Sequence, residues 1–290
     1  MRIALAIATV GRTETLSAML TAWRDQTRAL DHVVISTVPG EAEPEIDGLP
    51  LRVLRGPKGL CRQRNEALNG LAGAADVVIF VDDDFLPSSH FVAQVERLFT
   101  QHPDIAVATG RVLADGATGG GVPLDEAMAL IEAEDRRTPP SYPAMSPTLG
   151  AYGCNMVIHT RVTEPVRFDD RLPLYGWQED IDFSRRCSPY GAVVRTDAFC
   201  GVHMGAKSGR TSGVKLGYSQ VINPIYLVAK GTMPAPYALK LVVRNVVANL
   251  ARSLRPEPYV DRPGRLRGNA LALLDLMRAR IEPERMSEIS

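Results

Sequence analysis

Apolar residues in the first hundred positions follow two periods. β-Branched and aliphatic runs at 3–8, 32–37, 51–54, 77–81 and 105–109 read as strands, and the segments between them repeat at helical spacing. Leu16, Met19, Leu20 and Trp23 recur at i, i+3, i+4 and i+7, which gives a helix one apolar face. Phe91, Val92, Val95, Leu98 and Phe99 do the same behind the helix start at Pro87, Ser88 and Ser89. Strands alternating with helices predict a mostly parallel sheet covered by helices, an α/β fold whose first half is a nucleotide-binding layer.

Breakers then divide the chain. GATGGG at 116–121 and RRTPPSYPAMSP at 136–147 punctuate the middle, and short strands resume at 155–159 and 192–195. After Gly231, Pro234 and Pro236 the pattern is helical over 237–255 and again over 267–281, where Leu271, Leu274 and Met277 share a face. We therefore expect a catalytic α/β domain at 1–235, with halves at 1–110 and 111–235, and a helical extension at 236–290.

Composition narrows the setting. The 290 residues are 45% apolar, enough for one large core, yet no run approaches the ~18 apolar residues of a spanning helix. Met1 leads directly into RIALAIAT without a signal-peptide pattern, so a cytoplasmic protein is expected. Cys61, Cys154, Cys187 and Cys200 show no metal-binding spacing and are expected as free thiols. The formal charge is zero, but between Asp197 and Glu257 there are eight Lys and Arg and no carboxylate. An anion should face that stretch: a diphosphate or a phospholipid surface fits the motifs, and nucleic acid does not.

Three segments carry candidate chemistry. VVIFVDDDFLP is an apolar strand ending in Asp82, Asp83 and Asp84. Ligands gather outside the carboxyl ends of such strands, and Asp82 and Asp84 can converge there as a hard-oxygen site for Mg²⁺ or Mn²⁺ bridging a diphosphate. A solvated acidic turn is the other reading. LYGWQEDIDFSRRC places Glu179 and Asp180 ahead of a helical segment, where either can accept a proton, while Asp182 with Arg186 at i+4 reads as a helix-start ion pair. GVHMGAKSGRTSG holds His203 and then a Gly- and Ser-rich loop with Lys207 and Arg210, read either as a phosphate lid or as a plain surface loop.

In sequence order, IALAIATVGRTETL, GPKGLCRQRNEAL, FVDDD, YGCNMVIH and GWQEDIDFSRR resemble glycosyltransferase family 2, inverting enzymes of the GT-A fold, from about Arg2 to Lys215. The resemblance implies a Rossmann-like mixed sheet flanked by helices, with a C-terminal helical extension. It implies Thr9 and Arg12 at the nucleobase and ribose end of the donor, bordered by Arg64 and Asn65. Asp82 and Asp83 would belong to donor binding, Asp84 to the metal, and Asp180 would be the base with Glu179 orienting the acceptor. His203 is the candidate for a further metal ligand. Two departures stand out. Where many members end the second strand with an acidic residue that reads uracil, this chain has Ser36, Thr37 and Val38, and where a glycine follows the Arg-Asn pair, it has Ala67.

The activity so implied is transfer of a hexose, from a UDP-sugar in preference to other nucleotide sugars, to a hydroxyl of a saccharide or lipid-linked saccharide. Mn²⁺ or Mg²⁺, Lys207 and Arg210 would meet the charge that develops on the leaving diphosphate. A sugar-phosphate nucleotidyltransferase would need a stronger phosphate loop than ATVGR, and a non-catalytic nucleotide-sugar binder would not need both Asp84 and Asp180. Glycoside hydrolysis fits least, because the DDD site is too metal-like. The 237–255 segment sets Lys240, Arg244, Arg252 and Arg255 apart from Leu239, Val242, Val243, Val246, Val247, Leu250 and Leu254. It reads equally as a cover for the core or as a peripheral contact with anionic membrane.

Overall fold

The computed structural model describes residues 1–138, 142–206, 212–255 and 257–289. β1 (Ile3–Ala8), α1 (Thr13–Arg24), β2 (His32–Thr37), β3 (Leu51–Arg55), α2 (Leu60–Gly70) and β4 (Val77–Asp82) form the first part. β5 (Phe85–Pro87), α3 (Phe91–Gln101), β6 (Ile105–Asp115), α4 (Leu124–Asp135), β7 (Met145–Pro147) and β8 (Asn155–His159) follow. After α5 (Glu179–Cys187) and β9 (Ala192–His203) come three helices, α6 (Gly213–Lys230), α7 (Ala235–Ser253) and α8 (Arg262–Met277). One mixed sheet runs β3-β2-β1-β4-β8-β6-β9-β5, with β7 on β9. β3 to β4 are parallel, β8 is antiparallel to both neighbours, and β6 and β9 are again parallel.

The two-residue period of the strands sorts the core into two layers. Ile3, Leu5 and Ile7 of β1 pack with Leu16, Leu20 and Trp23 of α1 and with Phe91 and Val95 of α3. Ala4 and Ala6 face the other way with Cys61, Ala67 and Leu68 of α2, and their small side chains let that helix sit close. β6 and β9 run well past the expected 105–109 and 192–195. Their extensions carry Gly110, Arg111, Thr196 and Asp197, which interrupt the apolar pattern although the backbone ladder continues. The three-residue strands β5 and β7 are too short to show a period. α6 also escaped expectation, because it is buried nearly all round and has no polar face to mark it.

α6 lies between the sheet and the last two helices. Tyr218, Val221 and Ile222 pack with Ala272 and Met286, while Tyr226 and Leu227 join the main core, so contacts run unbroken across the expected boundary at 235–236. α6 crosses α8 at Gly217 and Gly268, where an added Cβ would collide with the backbone of Arg265 or Val214.

Candidate active site

β4 ends at Asp82, the chain turns through Asp83 and Asp84, and β5 leaves antiparallel to β9 with Phe85 opposite His203. β6 runs beside β9 with Asp115 aligned to the same histidine. Three strand ends thereby deliver Asp82, Asp84 and His203 to one point, their ligand atoms all within 4.8 Å of one another. His203 Nε2 lies 3.5 Å from Asp82 Oδ2 and 3.4 Å from Asp84 Oδ1. On the other side of the ring, Nδ1 is 2.9 Å from Asp115 Oδ1, and the Tyr152 hydroxyl donates to Asp115 Oδ2 at 2.9 Å.

The donor set fits a divalent ion. Among the described residues Asp84 Oδ1 is buried without a hydrogen-bond partner, the kind of orphan that a cation resolves. Carboxylate oxygens 3.4 and 3.5 Å from an imidazole nitrogen need to close by only about half an ångström to reach the spacing of about 3 Å between neighbouring ligands of an octahedral ion. Asp115 holds the Nδ1 side, which turns Nε2 toward the carboxylates, as a second carboxylate does behind many metal-bound histidines. Burial opposes a charged His203, but its bond to Asp115 and the negative charge of nearby Asp84 and Asp82 outweigh it and raise the imidazole to about 10. Burial likewise opposes charge on Asp115, yet His203 and the Ala117 N–H hold it down at about 2. A proton on Nε2 holds the place that an ion would take.

Asp83 turns away from this point. Its oxygens accept from Thr9 Oγ1 at 2.7 Å and Arg12 Nη1 at 2.8 Å, so the three residues expected at the donor are tied to each other. Burial pushes the Asp83 carboxyl up, against Arg12 and Thr9. Asp84 binds the following loop as well, its Oδ2 accepting from the Ala206 N–H at 2.6 Å.

The second pair of carboxylates is joined to the first by Arg64. Its Nη1 pairs with Glu179, and its Nη2 donates to Gly153 O at 2.8 Å and lies 3.5 Å from Asp82 Oδ1. A Cβ on residue 153 would press on Glu179 Oε1 and the guanidinium, so glycine keeps this crossing close. Asp180 is half-buried at the start of α5, its Oδ2 accepting from the Gly153 N–H at 3.1 Å. Burial raises the Asp180 carboxyl above the ordinary value despite those N–H contacts. The loop before α5 is strained: Leu174 and Gln178 both have positive φ, 55° and 73°.

Asp182 faces the interior, fully buried, accepting from Arg186 Nε at 2.9 Å, Lys230 Nζ at 2.9 Å and Thr232 Oγ1 at 2.8 Å. Asn65 is placed apart from Arg64. Its amide binds Phe168 O and Asp170, its Oδ1 accepts from the Phe168 N–H, and it lines a separate cavity of about 810 Å³ with Asp169, Arg186 and Lys230. Lys207 and Arg210 lie outside the described residues. Asp115 and Tyr152 are the additions that sequence reasoning missed. The available signal was an acidic residue at a strand end just before GATGGG, hidden because that strand was read as stopping six residues earlier.

A mixed sheet with this strand order, and an Asp-x-Asp turn at the carboxyl end of a central strand, has the GT-A glycosyltransferase fold. Solved structures of that fold resemble the whole chain at low identity. The mannosyltransferase PcManGT from Pyrobaculum calidifontis, in complex with GDP-Man and Mn²⁺, aligns with a TM-score of 0.53 at 15% identity over 98% of this chain and 77% of its own. TarS 1-349 of S. aureus with UDP-GlcNAc gives 0.56 at 15% identity, covering 99% and 83%. GalNAc-T7 with UDP, GalNAc and Mn²⁺ gives 0.53 at 13% identity, covering 99% and 56%. No protein-family model and no functionally curated protein matches the sequence.

Proposed function

We propose that this chain is a metal-dependent inverting glycosyltransferase that moves a hexose from a nucleoside-diphosphate sugar, a UDP-sugar in first place, to a hydroxyl of a saccharide acceptor. Polysaccharide or glycoconjugate synthesis is the setting, in the cytoplasm, with a saccharide, free or lipid-linked, as the acceptor. The observation that carries this reading is the convergence of Asp82, Asp84 and His203 at the carboxyl end of β4, with Asp84 Oδ1 left without a hydrogen-bond partner among the described residues. Similar structures hold GDP-Man, UDP-GlcNAc, or UDP with GalNAc, two of them with Mn²⁺.

Asp82, Asp84 and His203 would hold the ion, and imidazole beside carboxylate inclines the site toward Mn²⁺ over Mg²⁺. A bound divalent ion supplies positive charge where the departing diphosphate becomes negative. Asp115, steadied by Tyr152, orients the imidazole. Asp83 fastens Thr9 and Arg12 at the donor side, and Lys207 and Arg210 follow in sequence where phosphates would be met. Asp180 takes the proton from the acceptor hydroxyl. Its raised pKa makes it a better base near neutral pH than an exposed aspartate. Glu179, fixed by Arg64, positions the acceptor beside it. Attack from the face opposite the leaving group inverts the anomeric centre in one displacement.

Thermal-shift measurements with UDP, GDP and dTDP, each with and without Mn²⁺, test the reading. One nucleotide should raise the melting temperature, and only with the metal present. If no nucleotide stabilises the protein, or if EDTA leaves the shift unchanged, the assignment fails.

A further inference from the structure

α7 has two apolar sides. Ala238, Leu241 and Asn249 are buried, and Val242 and Val246 pack into the cluster formed by α6 and α8. A second set, Leu239, Val243, Val247, Leu250 and, at the C-cap, Leu254, recurs at i, i+4, i+8, i+11 and i+15. These five side chains are 63%, 51%, 56%, 61% and 85% exposed. They form one stripe about 22 Å long on the side of the helix turned from the core. Lys240 and Arg244 flank the stripe, both exposed, and neither stands in an ion pair among the described residues. α7 contains no carboxylate. Arg252 is already paired with Glu257 at 2.9 Å and adds nothing here.

We propose that α7 seats the protein on an anionic lipid bilayer, with the Leu/Val stripe entering the headgroup boundary and Lys240 and Arg244 meeting lipid phosphates. The stripe is not needed for folding, because a different set of residues fills the core. A second copy docked on the same stripe would bring further unpaired cations to the interface, with no acid on either α7 to receive them. Anionic headgroups answer both the apolar and the basic parts of the surface. Among the described residues no helix is long and apolar enough to cross a membrane, so α7 lies on the bilayer rather than through it. Val242 and Val246, on the inner side of the helix, share a cluster with Leu174, which begins the loop leading to Asp180. Under the proposed function this places the acceptor end beside the lipid surface. The docking itself does not depend on that reading.

Flotation tests the proposal, using phosphatidylcholine vesicles with and without phosphatidylglycerol at low and high salt. The full-length protein should float with phosphatidylglycerol at low salt and be released as salt rises. Lys240→Gln and Arg244→Gln should each lower the partition coefficient about fivefold, from the contribution of one basic residue at an anionic surface. A Val247→Ser, Leu250→Ser variant should stop floating while its thermal unfolding stays unchanged, since both positions are exposed. Failure of the wild type to float at low salt would overturn the proposal, as would flotation indifferent to both sets of substitutions. So would a dimer in sedimentation that Val247→Ser, Leu250→Ser dissociates while vesicles bind nothing. Nucleotide binding, measured separately without vesicles, reports on the transferase reading alone.

Discussion

Arg64 and Glu179 form an ion pair in the interior, the guanidinium only 2% exposed and set over the rings of Phe80 and Phe168 at 5.6 and 5.4 Å. The same guanidinium reaches toward Asp82, so one side chain from α2 links the strand-end aspartates to the start of α5. Burial disfavours a charged Arg64, and Glu179, Asp82 and Asp180 together keep it protonated. Arg64→Met removes the counter-charge of a buried carboxylate and should cost about 3–5 kcal/mol in urea unfolding. Adding Glu179→Gln to that variant should recover part of the loss, because no buried charge is then left alone. Equal stability of single and double variants would contradict the pairing.

Asp115 is not among the converging donors, yet it should control them. Asp115→Asn replaces the charged acceptor of His203 Nδ1 with a weaker, neutral amide oxygen, and Mn²⁺ affinity by calorimetry should fall about 10–100-fold. His203→Ala should lose more, since it removes a donor. Tyr152→Phe, which deletes one hydrogen bond to Asp115, should fall between the wild type and Asp115→Asn. An Asp115→Asn protein that binds Mn²⁺ as the wild type does would separate this carboxylate from the site.

The strands that build the first half of the sheet were legible because each is a continuous apolar run with helical periods between them, and β1, β2, β3 and β4 fall where that pattern put them. Asp82 and Asp84 were legible for a related reason: an apolar strand ending in charge marks the carboxyl edge of a sheet. His203 was identified by its place in the chain, but its approach to Asp84 depends on β5 pairing with β9, and three residues leave no periodic trace. Asp115 needed the β6–β9 register as well, with its irregular shifts. The partners of Arg64 were hidden for the same cause, since Glu179 is far away in sequence and only the fold brings α2 and α5 together. α7 read from sequence as either a cover or a surface helix. Packing distinguished the two apolar sets, one buried and one exposed, that a helical wheel merges.

Asp180 and Asp182 are two residues apart and should behave oppositely. Asp180→Asn removes the proposed proton acceptor, and turnover should fall by about 10²-fold or more with nucleotide affinity unchanged. In the wild type the acid limb of the pH–rate profile should lie above the ordinary aspartate value of 3.8, because burial favours the protonated carboxyl and activity appears only as pH rises past the raised pKa. Asp182→Asn instead strips Arg186 and Lys230 of a shared buried partner, and should destabilise by about 3 kcal/mol while the folded fraction keeps its rate. Equal loss of turnover in both variants, with normal unfolding curves, would refute the division of roles.

Asp169 gives the fold an acid-sensitive joint. It pairs with Lys230 at the end of α6, accepts from Tyr226 Oη at 2.8 Å and from the Arg171 N–H at 3.0 Å, and so ties the loop after β8 to the C-terminal helices. Burial alone would raise its carboxyl, but Lys230, Tyr226 and the Arg171 N–H outweigh it and hold the pKa below the ordinary 3.8. A carboxyl depressed in the folded state binds its proton more tightly when unfolded. Its stabilising contribution is therefore fully present above 3.8 and is lost as pH falls through the lower folded value. Asp169→Asn should lower the melting temperature at neutral pH, and the gap from wild type should narrow as the buffer is taken below 3.8. Thermal unfolding of both proteins across that range measures it. A gap that stays constant with pH would mean that Asp169 acts through shape and neutral hydrogen bonds, and that the charge of Lys230 is answered by Asp182 alone.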